Sequence, residues 1–253
     1  MSLFGKTDVA IDIGPETSHV FVKARGVVFS GRTEELRAAS GAKELPALIS
    51  ECLSRAGIRR GMFRPRIRAV LTVNYGIGEA EKQRFQEAGT VAGAKVVILI
   101  ELPMACAIGA GMPVSEPRGS MIVDIRGDEC QVAVISLAGI VAARDVCGCV
   151  TTSAAKDAES KIDRGDLVSR EKIAGARKEV LAECAAKGLK NLVSDVLDRG
   201  AVVTGGEGVD EGLAKWLAEN AGFPVKVADN AATAAVEGAG VVLGMMDTLA
   251  PVL

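Results

Sequence analysis

Two stretches of the sequence combine an aspartate at the end of an apolar run with a short polar loop. Asp12 precedes the loop 14–16, and Asp124 precedes the loop 126–129. Loops of this kind bring backbone N–H groups and a carboxylate together, which is what a phosphate and its divalent cation require. The alternative is that each aspartate only organises its own turn.

The two loops belong to an internal repeat. Asp12 aligns with Asp124 when the segment VAIDIGPETSHVFVKARGVVF is aligned with MIVDIRGDECQVAVISLAGIV. Strand, loop, strand, glycine-containing turn and strand then recur in the same order. A repeated three-strand unit of this kind predicts two similar domains.

Helices and buried strands alternate along the rest of the chain. Apolar residues have helical spacing over 45–56, 79–92 and 209–221, and they form continuous runs at 67–73 and 96–100. Continuous apolar runs are typical of strands that are covered on both faces. The sequence therefore predicts an α/β fold with largely parallel sheets.

The composition excludes several classes of partner. The 253 residues are 49% apolar, 25% charged and only 3% aromatic, and the net charge is −2. Such a chain lacks the basic surface and the aromatic platforms that bind nucleic acid. Six cysteines without a signal peptide favour a reduced compartment, and no apolar run reaches the ~20 residues that span a bilayer. We expect a soluble, cytoplasmic protein.

Three segments carry a family resemblance. They are the first hairpin, the segment beginning MFRPRIRAVLTVNYGIGEAEKQ and the segment beginning LVSDVLDRGAVVTGGEGVDEG. They occur in the same order in the MreB group of bacterial actins. The chain thus resembles this group within the actin/Hsp70/sugar-kinase superfamily. The resemblance implies an actin-like ATPase (ribonuclease H-like) fold with two α/β domains, 1–112 plus 229–253 and 113–228. Residues 30–44 and 150–190 are too short for the outer subdomains, so the domains are reduced mostly to the inner ones.

The resemblance also implies a nucleotide site. Two aspartates would face Mg²⁺, and together with four glycines they would surround ATP: Asp12, Asp124, Gly14, Gly127, Gly205 and Gly206. For the Gly205-Gly206 pair alone, a tight turn between strand and helix is an equally simple interpretation.

The loops depart from the family pattern at the residues that should contact phosphate. Pro15 lacks the N–H group that a phosphate cradle needs, and Glu16 adds a negative charge. Arg126, Asp128 and Glu129 stand where the family has two glycines and a hydroxyl residue. An acid ~4 Å from a phosphate costs on the order of several kcal/mol in a partly desolvated cleft. We expect ATP and Mg²⁺ binding to be weak or absent.

The catalytic motif is altered as well. The Glu-Glu-Pro of the family reads Glu101-Leu102-Pro103 here, so Leu102 replaces the carboxylate near the attacking water, and Glu101 is only a weak candidate for its role. We expect a degenerate ATPase rather than an enzyme. Arg126 would then occupy the cation or phosphate position and pair with Asp12 or Glu16.

A basic segment has two apolar residues among its arginines: Arg59, Arg60, Met62, Phe63 and Arg64. It corresponds to the loop that inserts into membrane in MreB relatives, and apolar tips flanked by cations suit an anionic lipid surface. We expect peripheral contact with the inner face of the membrane. The alternative is a solvated charge run with Met62 and Phe63 packed on the protein.

Cysteine and histidine give weaker signals. A two-residue turn at Ala138-Gly139 would set Cys130 opposite Cys147, so that a thiol pair or a metal site with Cys149 is geometrically possible, but small buried cysteines are favoured. His19 has no Cys or His partner in the sequence. A turn or strand-edge role is preferred for it.

Three hypotheses follow. The first is an actin-like cytoskeletal or scaffold protein that self-associates or docks on a filament or membrane. The second is an ATP-binding polymer that determines cell shape. The third is a chaperone-like accessory module of a larger assembly.

Overall fold

The computed structural model describes residues 6–40, 44–58, 66–147, 164–206 and 209–249. The chain divides into two compact units, Met1–Ala105 with Ala235–Leu253, and Cys106–Ala234. The domain bounds inferred from the sequence remain a prediction. None of the described helices is long and apolar enough to cross a membrane.

The first unit is built on five strands. Its strands and helices are β1 (Lys6–Ile13), β2 (Thr17–Val22), β3 (Gly26–Arg32), α1 (Thr33–Ser40), α2 (Leu45–Arg55), β4 (Arg66–Val73), α3 (Glu79–Val91), β5 (Ala94–Glu101) and the closing helix α8 (Ala234–Leu249). Helix α4 (Leu102–Gly109) follows β5 and leads into the second unit.

The first sheet has the order β3-β2-β1-β4-β5. The three strands of the hairpin unit are antiparallel, and β4 and β5 add to β1 in parallel. Side chains of β1 alternate between two cores. Val9 and Ile11 pack with α1, α2 and α3, whereas Ala10 packs with Val236 and Ala239 of α8. The sheet is therefore covered on both faces, as its apolar runs predict.

The second unit repeats this plan. Its strands and helices are β6 (Ser120–Arg126), β7 (Glu129–Ser136), β8 (Gly139–Cys147), α5 (Arg164–Ala186), α6 (Lys190–Arg199), β9 (Ala201–Gly205), α7 (Glu211–Ala221) and β10 (Val225–Val227). The order β10-β9-β6-β7-β8 is that of the first sheet, with β6 in the place of β1 and β9 in the place of β4. The α/β fold class predicted from the sequence is confirmed. The sheets are mixed rather than largely parallel, because each contains a three-strand antiparallel unit.

The ends of α7 show how local sequence sets the helices of this unit. The Leu213 N–H donates to Asp210 Oδ1 at 2.8 Å, which caps the N-terminus. Gly222 follows the last turn with a φ of +74°, a left-handed conformation that glycine adopts without strain. Between these caps, Leu213 and Leu217 face the core.

The turn between β7 and β8 corrects one prediction. The turn residues are Leu137 and Ala138, with φ of +51° and +56°, and the register shifts between Val134 and Ile135. Cys130 consequently lies opposite Val146, so the predicted Cys130–Cys147 alignment is wrong.

The left-handed turn has two backbone partners. The Leu137 N–H donates to the Glu116 carbonyl at 3.0 Å, and the Ala138 N–H donates to the Val114 carbonyl at 2.7 Å. These bonds stabilise a conformation that non-glycine residues otherwise avoid. The chain can therefore turn one residue earlier than the glycine suggests.

Candidate functional site

Each of the two aspartates is buried and accepts a hydrogen bond from the neighbouring parallel strand. Thr72 Oγ1, on β4, donates to Asp12 Oδ1 at 2.5 Å. Thr204 Oγ1, on β9, donates to Asp124 Oδ1 at 2.8 Å. Because β4 and β9 hold equivalent places in the two sheets, the internal repeat extends to the side-chain contacts of the aspartates.

The contacts of Thr72 and Thr204 with the two aspartates were not predicted from the sequence. The sequence does contain a signal for these contacts, because each threonine lies near the carboxyl end of a buried strand that follows its aspartate in the chain. The sequence did not show which strands are neighbours, and only the sheet order brings β4 beside β1 and β9 beside β6.

Asp124 also has a cation. Arg126 Nε donates to Asp124 Oδ2 at 2.8 Å, and the Arg126 side chain is only 12% exposed. The Cys106 thiol donates to Asp124 Oδ1 at 3.2 Å. Together with Thr204, these donors engage both oxygens of the carboxylate.

The ion pair that the structure describes joins Arg126 to Asp124. Pairing of Arg126 with Asp12 or Glu16 remains a prediction. Residues i and i+2 of a strand share one face, so an arginine at the end of β6 reaches the aspartate on its own strand. The contact with Asp124 follows from this local geometry and could be inferred from the spacing of the two residues.

The second loop is a tight hairpin turn. Arg126 and Glu129 are the last pair of the β6–β7 ladder, which leaves Gly127 and Asp128 as the two turn residues. Gly127 has a φ of +58°, as a two-residue hairpin turn of this type requires. Since the ladder runs up to the turn, the loop is narrower than an open phosphate cradle.

The first loop is held by the start of α1. The Gly14 N–H donates to the Thr17 carbonyl at 2.9 Å, and the Thr33 N–H donates to the Glu16 carbonyl at 2.8 Å. Thr33 Oγ1 donates to the Gly14 carbonyl at 2.8 Å and is also 2.8 Å from Ser18 Oγ. The amide of Gly14 is thus used within the loop.

The paired glycines at the end of β9 are engaged in the same way. The Gly205 N–H donates to the Ala231 carbonyl and the Gly206 N–H donates to the Ile125 carbonyl, each at 3.0 Å. A Cβ atom on Gly205 would lie 1.8 Å from the Ile125 carbonyl oxygen. The close approach of β9 to β6 therefore accounts for this glycine.

The remaining predicted residues are distributed as follows. Glu101 is half-buried at the end of β5, and Leu102 is buried at the start of α4. The basic segment with Arg59, Met62 and Phe63 lies outside the described residues. Within the described ranges, no group of three or more His, Cys, Asp or Glu side chains is arranged to hold a metal ion.

His19 is buried in the strand next to Asp12. The two residues are direct partners in the β1–β2 register. Its Nδ1 lies 2.8 Å from Ser30 Oγ and its Nε2 lies 3.2 Å from Thr17 Oγ1. Both ring nitrogens therefore lie within hydrogen-bonding distance of hydroxyl groups on β2 and β3.

The MreB/Mbl protein family matches residues 41–152 and 158–251 of the sequence. These ranges contain β4 and β6–β9, including Asp124 and Gly205. The chain belongs to the MreB/Mbl family. The resemblance found in the sequence motifs is confirmed, and membership supports an actin-like, cytoskeletal role.

One relative and two solved structures illustrate the family and its fold. The cell shape-determining protein MreB of Escherichia coli (strain K12) is 32% identical over 237 aligned positions, which cover 73% of this chain and 67% of that protein. The crystal structure of MreB5 of Spiroplasma citri bound to AMPPNP has a TM-score of 0.71 at 16% identity, covering 98% and 99% of the two chains. The MamK double helical filament has a TM-score of 0.64 at 11% identity, covering 95% and 99%. The actin-like fold predicted for this family member is confirmed.

Proposed function

We propose that this protein is an actin-like scaffold whose nucleotide site is degenerate, so that it binds ATP weakly or not at all and does not hydrolyse it. The observation that carries the proposal is the ion pair between Arg126 and Asp124. The family resemblance implies that Asp124 is one of two aspartates that face the metal.

The ion pair is a poor fit to a Mg²⁺ site. Mg²⁺ binds carboxylate and water oxygens in a near-octahedral shell, and the Asp124 carboxylate already accepts bonds from Arg126, Thr204 and Cys106. A metal would have to displace a guanidinium that is mostly buried. Asp128 and Glu129 add negative charge to the same loop, which opposes a polyphosphate.

The backbone of two of the glycine loops supports the same conclusion. A phosphate cradle depends on N–H groups that point at the ligand. The amides of Gly14, Gly205 and Gly206 donate instead to carbonyl groups of the protein. Leu102, at the family's catalytic carboxylate, is buried and apolar, which argues against activation of water.

Self-association is the second part of the proposal. The MamK structure with this fold is a double helical filament, and the E. coli relative determines cell shape. An actin-like protein that does not bind and hydrolyse ATP would present the same association surfaces with and without ATP. We expect association to be independent of ATP.

Membrane association is the third part. It depends on Met62 and Phe63 with Arg59, Arg60 and Arg64, all outside the described residues. Co-sedimentation with anionic vesicles would decide it, because a Met62→Ser/Phe63→Ser variant should lose the apolar anchor and keep the positive charge. Equal co-sedimentation of both proteins would reject the apolar insertion.

The main test is a calorimetric titration of the protein with ATP and Mg²⁺. We expect no saturable binding at micromolar concentration. A matched variant, Arg126→Gly/Asp128→Gly, restores the two glycines of the family loop and should bind more tightly than the wild type. Micromolar binding by the wild type would overturn the proposal in favour of an ATP-binding polymer. A variant that gains no affinity would show that Arg126 is not what closes the site.

A further inference from the structure

The edge strand β5 has an unusual composition. It pairs with β4 at the end of the first sheet, and no other strand of the described residues borders it. Its centre, 96–100, is five consecutive apolar residues, Val-Val-Ile-Leu-Ile. Val96 is 41% exposed. A long apolar edge strand offers unpaired backbone groups to any strand that can lie beside it.

The other edge strands have features that discourage such pairing. β10 is only three residues long. β3 ends in Arg32 and has a register shift against β2. β8 carries Arg144 and Asp145, and Arg144 is paired with Glu179 and Glu183 of α5. Natural proteins protect sheet edges by short strands, charges and bulges of this kind. β5 also has a register shift against β4, beside Lys95, but from Val96 to Ile100 it has neither a charge nor a bulge.

The two charges of β5 stand at its ends and have opposite signs. Lys95 is the second residue and Glu101 is the last. In antiparallel pairing, only residues whose backbone groups point the same way can be partners. Two copies of β5 can therefore pair in the register centred on Ile98 or in registers shifted from it by two residues.

The charges select one of these registers. Pairing centred on Ile98 sets Val96 of each copy opposite Ile100 of the other. Lys95, which precedes Val96 at the register shift, then lies next to Glu101 of the other copy. The shifted registers set Lys95 opposite Leu99, or Glu101 opposite Val97. Opposite charges close together across an antiparallel pair stabilise it, and the centred register gives two such pairs.

We propose that β5 is a self-association surface, at which two copies of this chain pair their β5 strands antiparallel about a twofold axis at Ile98. The pairing would join two first sheets into one continuous sheet. It is isologous, because both copies contribute the same residues. The inference deepens the self-association in the proposed function and rests on it, but it requires no nucleotide.

Charge reversal tests the register. Lys95→Glu sets two glutamates against each other at both ends of the pair, and Glu101→Lys does the same with lysines. Each change should weaken dimerisation in sedimentation equilibrium by about tenfold or more. The double variant Lys95→Glu/Glu101→Lys restores both pairs with reversed polarity, and it should recover most of the wild-type affinity. Failure of the double variant to recover would overturn this register.

A second variant tests the edge without relying on the ion pairs. Val96→Lys adds a charge to the exposed part of β5 and should abolish dimerisation. Leu197→Lys on α6 is the matched control, because Leu197 is similarly exposed at 46% but lies in the other unit. Thermal melts followed by circular dichroism verify that both variants are folded.

The outcomes separate this inference from the proposed function. If the wild type associates and Val96→Lys associates equally well, the β5 pairing is wrong and self-association stands. If the wild type sediments as a monomer at all concentrations, with and without ATP, both are wrong. Loss of association in Val96→Lys but not in Leu197→Lys supports both.

Discussion

Arg126 Nε donates a 2.8 Å hydrogen bond to Asp124 Oδ2, two residues before it on the same strand. A buried carboxylate at the end of a sheet needs a cation or several donors, and here the chain supplies the cation itself. Thr204 and Cys106 complete the set of donors. Three donors thus contact a carboxylate that the family resemblance assigns to a metal.

Arg126→Ala should therefore destabilise the protein and create a dependence on Mg²⁺. Removal of one partner of a buried ion pair leaves the other charge uncompensated, at a cost of about 3 kcal/mol in the free energy of unfolding. Urea unfolding of the variant should show that millimolar Mg²⁺ restores part of the loss, whereas the wild type should not respond.

The control is Arg118→Ala, since Arg118 is 62% exposed and lies 4.0 Å from Glu116. Its effect on stability should be within about 0.5 kcal/mol. A loss in Arg126→Ala no larger than in this control would contradict the importance of the Arg126–Asp124 pair.

Thr72→Val and Thr204→Val test the repeated contact to the two aspartates. Valine keeps the shape of threonine but removes the donor, so each buried carboxylate loses a hydrogen bond. We expect each variant to lose about 1.5–3 kcal/mol in urea unfolding, as for other hydrogen bonds to charged groups. Thr90→Val is the control, because Thr90 is exposed on α3 and bonds only to the Gln86 carbonyl. Equal effects at Thr90 and at the other two positions would argue against the contact.

Cys52 should make the protein sensitive to alkaline pH. Burial raises the pKa of its thiol from 9.0 to about 12. Above pH 9 the unfolded chain releases this proton while the folded chain retains it, so the free energy of unfolding falls as the pH rises toward 12. The maximal slope is about 1.4 kcal/mol per pH unit.

Comparison with Cys52→Ala isolates this contribution, since all other titrating groups are shared. Between pH 9 and 10.5 the stability of the wild type should fall more steeply than that of the variant, whereas between pH 6 and 8 the difference between them should be constant. Parallel curves across the alkaline range would mean that the thiol ionises as readily in the folded state as in the unfolded one.

The sequence was sufficient for the repeat and for the succession of strands along the chain. Apolar runs around Asp12 and Asp124 predict buried strands, and the collinear motifs identify the family. The hydroxyl partners Thr72 and Thr204 could not be placed, because their contacts depend on which strands become parallel neighbours. The predicted Cys130 register was wrong for a related reason. The turn lies at Leu137-Ala138, where backbone hydrogen bonds to the distant residues Glu116 and Val114 hold it, and the register also shifts beside Val134.

The two glycines at the end of β9 could not be assigned a role from the sequence. A Gly-Gly pair after a strand fits both a phosphate loop and a tight turn. The observed amide partners, Ala231 for Gly205 and Ile125 for Gly206, favour the turn. If the loop is a tight turn, replacing a glycine should lower the free energy of unfolding more than it changes the binding of any ligand.

Gly205→Ala is the corresponding prediction. Gly205 has a φ of +137°, and a Cβ would lie 1.8 Å from the Ile125 carbonyl oxygen, a backbone atom that cannot move without separating β9 from β6. We expect a loss on the order of 3–5 kcal/mol in urea unfolding. Gly188→Ala is the control, because Gly188 has a φ of +79° but open space around it, so it should lose only about 1–2 kcal/mol. If the two variants unfold alike, the close approach at Gly205 is not what requires glycine, and a ligand-binding role for the loop regains support.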